Sequence, residues 1–278
     1  MEIVALKKCY LKFLKRNSKC SRYSPSSASK NTLRLLEYDF WKLKFKGWKM
    51  EEIFQLEIQE NMEKQFKNIA NILMNNYDLD INGQKFQFID IEFYLKNNIH
   101  NDTYTHCNER QRTRFQWYLH RQCSERNSSI KQGNRKGLDF TFGNDDYCAG
   151  MLIRAIRNNK NSTLSTGPSL SVGIIMDIFN IKNIDDLSEL VEDKNYLDTK
   201  LQIVKKEKPT DSFIYYGTRQ GLNCQKDDKY FKKHYRFIIV DNKTQGIKNK
   251  ISLLKNAIKE RTIEQIQKDV GYKINLNL

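Results

Sequence analysis

The chain has 278 residues, 39% of them hydrophobic, enough to bury a sizeable core and too many for a disordered chain. Its 48 Lys and Arg against 33 Asp and Glu give a formal charge of +15. That excess points to a polyanionic partner, with a coding bias that writes Lys and Asn throughout as the competing source. No run of 18 apolar residues occurs, so no membrane-spanning helix and no membrane partner is expected.

The six cysteines (Cys9, Cys20, Cys107, Cys123, Cys148 and Cys224) are scattered without a CxxC pair, the usage expected of reduced thiols inside a cell. The first 36 residues carry nine basic residues against the single acid Glu2 and lack a signal peptide's apolar core. An intracellular protein is expected, cytoplasmic in a prokaryote and nuclear in a eukaryote, with mitochondrial import left open by the basic start.

In chain order, residues 3–14 set Ile3, Val4, Leu6, Leu11, Phe13 and Leu14 among lysines at helical spacing, and a Ser- and Pro-containing loop follows at 21–29. From 31 to 76 apolar residues recur every three or four positions (Leu33, Leu36, Phe40, Leu43, then Ile53, Leu56, Met62, Phe66, Ile69, Leu73), which predicts two or three helices. Residues 1–76 therefore read as a basic helical extension.

The dipeptide Asn82-Gly83 supplies the positive φ angles of a tight hairpin turn between 79–81 and 85–95. The second arm, FQFIDIEFYL at 86–95, alternates: Ile89, Ile91, Phe93 and Leu95 point one way, Asp90, Glu92 and Tyr94 the other. Side chains two apart on a strand lie about 6.6–7 Å from each other. Glu92 and Tyr94 can thus flank one flat ligand, or can be the solvated face of a half-buried strand.

A polar loop with His100 and His106 leads to an aromatic strand at 115–120, then to a loop at 122–136 without an apolar pattern. Strands are expected at 137–142 and 149–156, joined by the turn Gly143-Asn144-Asp145-Asp146. Gly167-Pro168-Ser169 opens a helix to about Phe179, with Pro168 tolerated in the first turn where its missing N–H has no partner to lose. A polar connection, two closing strands at 212–216 and 235–241, and one amphipathic helix over 248–270 complete the chain. The fold class expected is α+β: a curved, barrel-like antiparallel sheet with flanking helices, an N-terminal helical extension and a C-terminal helix.

These elements, taken together, resemble the alkyladenine (3-methyladenine, methylpurine) DNA glycosylase family over about residues 77–242. The segment Ile89-Asp90-Ile91-Glu92-Phe93-Tyr94 is similar to the family's strand with a catalytic glutamate two residues before a base-stacking tyrosine. His106 is the best match to its active-site histidine, and Met151-Leu152-Ile153-Arg154-Ala155 to its strand ending in an active-site arginine. Gly167-Pro168-Ser169-Leu170, Arg219-Gln220-Gly221 and Arg236-Phe237-Ile238 match its helix start and closing segments. Where the family places a DNA-distorting hairpin, the 122–136 loop has no aromatic residue but carries Arg126, Lys131, Arg135 and Lys136.

The resemblance implies a monofunctional glycosylase that flips an alkylated or deaminated purine out of DNA and excises it by hydrolysis. Glu92 would activate the water and Arg154 would assist; Tyr94 and His106 would wall the base; Arg126, Lys131, Arg135 and Lys136 would contact phosphates. The alternative is a non-catalytic DNA- or RNA-binding protein on a degenerate glycosylase fold. DNA, or else RNA, is the expected partner of a monomer, unless the terminal helices bind another protein. His106-Cys107 and His120-x-x-Cys123 have residue types suited to zinc but not the spacing of a zinc site, and no metal or cofactor is expected.

Overall fold

The computed structural model describes residues 49–121, 136–226 and 228–276. The chain divides into a unit of residues 1–49 and a compact unit of residues 50–278. The expected helix at 3–14, the first half of the helical stretch at 31–76, and Arg126, Lys131 and Arg135 lie outside the described residues.

The compact unit is α+β, with a curled antiparallel sheet flanked by helices. It starts with a short helix α1 (Met50–Ile53), runs on without regular structure, and enters α2 (Glu63–Asn76), so the second half of the stretch expected to hold two or three helices contains two. α2 buries Phe66, Ile69, Ala70 and Leu73 on the sheet, with the Phe66 and Phe93 rings stacked 4.9 Å apart. Residues 50–76, drawn in sequence with the N-terminal extension, belong to the compact unit.

β1 (Tyr77–Ile81) and β2 (Gln84–Lys96) form the expected hairpin, with Asn82 and Gly83 at φ of 49° and 86°. β3 (Arg114–Arg121), β4 (Lys136–Phe142) and β5 (Cys148–Asn158) come next as a meander, and β5 pairs back along β2. Lys136 is thus the first residue of β4; its main chain exchanges hydrogen bonds with Ser169 Oγ at 2.9 and 3.1 Å, docking the strand on the next helix. That helix, α3 (Pro168–Phe179), has the bounds the Gly-Pro-Ser start predicts and closes on Asn180 in the left-handed region.

The expected polar connection contains α4 (Ile184–Val191), capped by Asn183, and a strand β6 (Leu201–Lys205) that pairs with β1. β7 (Ile214–Gly217), a short α5 (Asp228–Phe231) and β8 (Arg236–Ile239) come after it. The C-terminal helix is two, α6 (Lys250–Ala257) and α7 (Ile263–Val270). The break falls where Thr262 and Gln265 form a reciprocal capping box, which gives the backbone N–H groups of a new first turn their partners. Among the described residues no helix is long and apolar enough to cross a membrane.

β2 is the hub. One edge pairs with β5 from Phe86 to Lys96; the other is shared, with β1 beside Phe86 and Gln87 and β8 beside Asp90, Ile91 and Glu92. Its Ile91, Phe93 and Leu95 are wholly buried against α2 and the aromatic core, where Phe54, Phe115, Trp117, Phe140 and Phe142 also meet. Asp90, Glu92 and Tyr94 face the other way, as the alternation predicts.

Candidate active site

Register aligns one residue from each of five adjacent strands: Tyr118 on β3, Asp139 on β4, Leu152 on β5, Glu92 on β2 and Arg236 on β8. Laterally paired residues share a face, so this row crosses the site side of the sheet. Two register shifts, between Phe88 and Asp90 and between Asp90 and Ile91, mark an extra residue first on β2 and then on β5. The extra residue on β5 is Arg154, and such a bulge re-aims the side chain it carries. Arg154 consequently reaches both carboxylates of β2, with Nη1 3.3 Å from Glu92 Oε2 and Nε 3.6 Å from Asp90 Oδ2.

Glu92 is 4% exposed. The Gln220 backbone N–H donates to its Oε1 at 2.8 Å, and Arg236 Nε lies 3.9 Å from the same oxygen. Arg236 itself clasps Asp90 with two hydrogen bonds, 3.0 Å to Oδ1 and 2.7 Å to Oδ2. The result is a quartet of two acids and two arginines, buried except for the partly exposed Arg154. Burial raises the Glu92 pKa, with Asp90 adding to the rise and Arg154 and Arg236 opposing it.

The second cluster joins the first along the same face. Tyr94 Oη donates to Asp139 Oδ2, and His120 Nε2 binds that same oxygen. Asp139 is fully buried, and its Oδ1 has no hydrogen-bond partner among the described residues. The Tyr118 and His120 rings lie 4.7 Å apart, and His106 stands 6.1 Å from His120 at the exposed rim. Burial, then the carboxylate of Asp139, drives the Tyr94 pKa well above its ordinary value. Burial and the neighbouring His120 and Lys226 hold His106 below the usual imidazole range. For His120, burial works against the charged ring, but Asp139 more than offsets it and the pKa rises.

Two further contacts position the site. Cys107, the residue after His106, is disulfide-bonded to Cys148 at the start of β5, with Cα atoms 5.2 Å apart. This corrects the expectation of reduced thiols for that pair and takes Cys107 out of any His-Cys ligand set. Arg219 binds Asp102 of the His106 loop at 2.7 and 3.0 Å, and its guanidinium lies over the rings of Tyr104 and Tyr235. The loop bearing His106 and the turn that gives the Gln220 N–H to Glu92 are thereby fastened together.

Of the residues singled out in sequence, Glu92 and Arg154 meet directly, Tyr94 lies on the same face, and His106 is at its edge. Asp90, His120, Gln220 and Arg236 were named in the sequence without a role in the chemistry, and Asp139 was not singled out. The one signal for Asp139 is a lone acid in the apolar strand Gly137-Leu138-Asp139-Phe140-Thr141-Phe142. A groove of about 210 Å³ walled by Lys67, Tyr216, His234, Phe237 and Glu260 is a separate place. There Lys67 pairs with Glu260 at 2.7 Å, and Tyr216 Oη donates to the same carboxylate at 2.7 Å.

The fold and this face define an α+β protein whose curled antiparallel sheet carries a carboxylate–arginine quartet beside a Tyr–Asp–His cluster. No family model matches the chain. It is 31% identical over 220 residues to the uncharacterized protein L759 of Acanthamoeba polyphaga mimivirus, an alignment that covers 71% of this chain and 93% of that protein. The chain belongs to the same family as that viral protein.

Proposed function

We propose that the chain is a DNA glycosylase that flips a damaged purine from the helix and hydrolyses its N-glycosidic bond. The observation that carries this reading is Glu92: a buried carboxylate of raised pKa, held by Arg154 and the Gln220 N–H, on the same face as Tyr94 and two residues before it. A carboxylate so placed can take a proton from water while stabilising positive charge on the sugar as the base departs. Tyr94 and His106 would border the flipped base, and the excess of cations would hold the phosphates. Neither cluster contains a lysine, so the reaction expected is base removal without a Schiff base. No step calls for a metal or cofactor.

Glu92→Gln keeps the shape of the side chain and removes its basicity. It is expected to leave duplex binding intact and lower release of hypoxanthine or 3-methyladenine by about 10²–10⁴-fold, the usual worth of a general base. Undiminished release would refute the assignment.

One observation favours a second reading, a binding protein on the same fold. Both oxygens of Glu92 are already engaged, by Arg154 and by Gln220, as in a purely structural ion pair. Salt-sensitive binding of DNA or RNA with no base released from single- or double-stranded substrates would select that reading.

A further inference from the structure

One buried ion pair joins two loops that serve the site from opposite ends of the sequence. Arg219, 6% exposed, lies in the segment after β7, and wholly buried Asp102 lies in the loop after β2, 117 residues earlier. Each partner is also built into its own loop. Asp102 accepts from the Tyr104 N–H at 3.1 Å and from Thr105 Oγ1 at 3.2 Å, which folds the turn immediately before His106. Arg219 shares a planar peptide unit with the Gln220 nitrogen, so the direction of the N–H that Gln220 donates to Glu92 follows the Arg219 backbone. Gly221 then turns the chain away at φ 76°, and Asn249 Nδ2 holds Gln220 Oε1 at 2.8 Å.

A buried ion pair is weak evidence for stability, because apolar groups of the same shape often serve as well. What a guanidinium fork supplies is direction: two parallel bonds fix both the distance and the angle of the carboxylate. Here the ring centroids of Tyr104 and Tyr235 also lie 5.7 and 5.6 Å from the Arg219 Cζ. The Tyr235 carbonyl in turn accepts from the Phe93 N–H at 2.8 Å. Phe93 follows Glu92, so the ion pair is braced on the strand that carries the acid.

We propose that Arg219 and Asp102 are positioning residues of this site, a pair that aims the Gln220 N–H at Glu92 and fixes His106 at the rim as one rigid piece. What Glu92 and His106 do rests on the glycosylase reading; the coupling between them does not. Both residues act through neighbours, Arg219 through Gln220 and Asp102 through the turn before His106. Breaking the pair therefore disturbs the acid and the wall together.

The test follows both ends in the full-length protein by NMR, with the Glu92 carboxyl assigned through Glu92→Gln and the four histidines by their ring protons. Combining Asp102→Asn with Arg219→Gln removes both charges and leaves neither unpaired. In wild type the Glu92 carboxylate faces Asp90, Arg154, Arg236 and the Gln220 N–H. Without that N–H it should hold its proton more tightly, and its titration should move to higher pH. His106 faces His120, Lys226 and Asp139. Freed from its anchor it gains water, and its titration should rise towards the ordinary imidazole range. Release of hypoxanthine from a duplex should fall by about tenfold on the acidic side of its pH profile, the size expected for losing a hydrogen bond to a charged group. If either titration keeps its wild-type position in the folded variant, the pair does not join the two ends and the inference is overturned. Should the double variant not fold, Arg219→Lys, which keeps the charge and loses the fork, carries the same two titrations. A wild type that frees no base would remove the glycosylase reading alone, since both titrations are read without substrate.

Discussion

Gly150 gives a demanding test of how the site face is assembled. It pairs with Tyr94 across β2 and β5, and the tyrosine lies over its bare α-carbon. A Cβ added there would stand 2.1 Å from Tyr94 Oη and 2.4 Å from Cζ. Gly150→Ala must therefore displace the ring by more than an ångström, and the Tyr94–Asp139 hydrogen bond breaks with it. Overpacking costs about 1–3 kcal/mol and a lost hydrogen bond to a charged acceptor about 1.5–3 kcal/mol, so the substitution should destabilise by roughly 2.5–6 kcal/mol. For a unit of this size that is a fall in Tm of roughly 5–25 °C. Urea unfolding of the wild type, Gly150→Ala, Tyr94→Ala and the double variant separates the clash from other effects, because truncating Tyr94 removes the three atoms nearest to the new methyl group. The cycle should give a coupling energy of at least about 2 kcal/mol, whereas distant sites add to within about 0.5 kcal/mol. A Gly150→Ala protein with the wild-type urea midpoint, or an additive double variant, would refute the placement of Tyr94 over Gly150.

The remaining predictions concern the supports of the site. The Cys107–Cys148 bond closes a loop of sequence separation 41, for which chain entropy gives about 4 kcal/mol; Cys107→Ser should lower the urea-extrapolated stability by up to that amount, and peptide mapping without reductant should recover the linked pair. His100 is fully buried, its Nδ1 at 3.2 and 3.1 Å from the carbonyls of Gln59 and Glu60, and burial holds its pKa below the ordinary imidazole value against the opposing pull of Asp102. The unfolded chain therefore takes up this proton first: stability present above about pH 6.5 is lost as pH falls towards the folded pKa. Urea midpoints at pH 7.5, 6.5 and 5.5 should drop less steeply in His100→Asn than in wild type, and parallel curves would exclude His100 as the source.

Much of the sheet was legible because it is written in nearest-neighbour terms. The 82–83 turn, the alternation of β2 and the proline start of α3 are each fixed by φ preferences or period-two burial that act within a few residues. α4 and β6 were hidden by polarity, although Asn183 before two acids is a helix start and Leu201 and Ile203 alternate inward. The split between α6 and α7 was masked because Ile251, Leu254, Ile258, Ile263 and Ile266 keep a helical rhythm across a break that only the Thr262 cap reveals. In the site, Glu92, Tyr94 and Arg154 could be found from one strand at a time. Asp139, His120 and Arg236 could not, since their meaning lies in which strands stand side by side, and the Cys107–Cys148 pair depends on a chain reversal that spacing does not encode.

The two acids of β2 also impose an order on synthesis. When Asp90 and Glu92 leave the ribosome, Arg154 is still 64 and 62 residues away, the Gln220 N–H 128 residues from Glu92, and Arg236 146 residues from Asp90. Until those arrive, burying the strand would leave two carboxylates in an apolar interior, an outcome costly enough to hold the nascent hub open. A chain without Arg236 would leave Asp90 without its two-point partner. The burial of the second strand's acids thus draws on a partner in the last strand of the sheet.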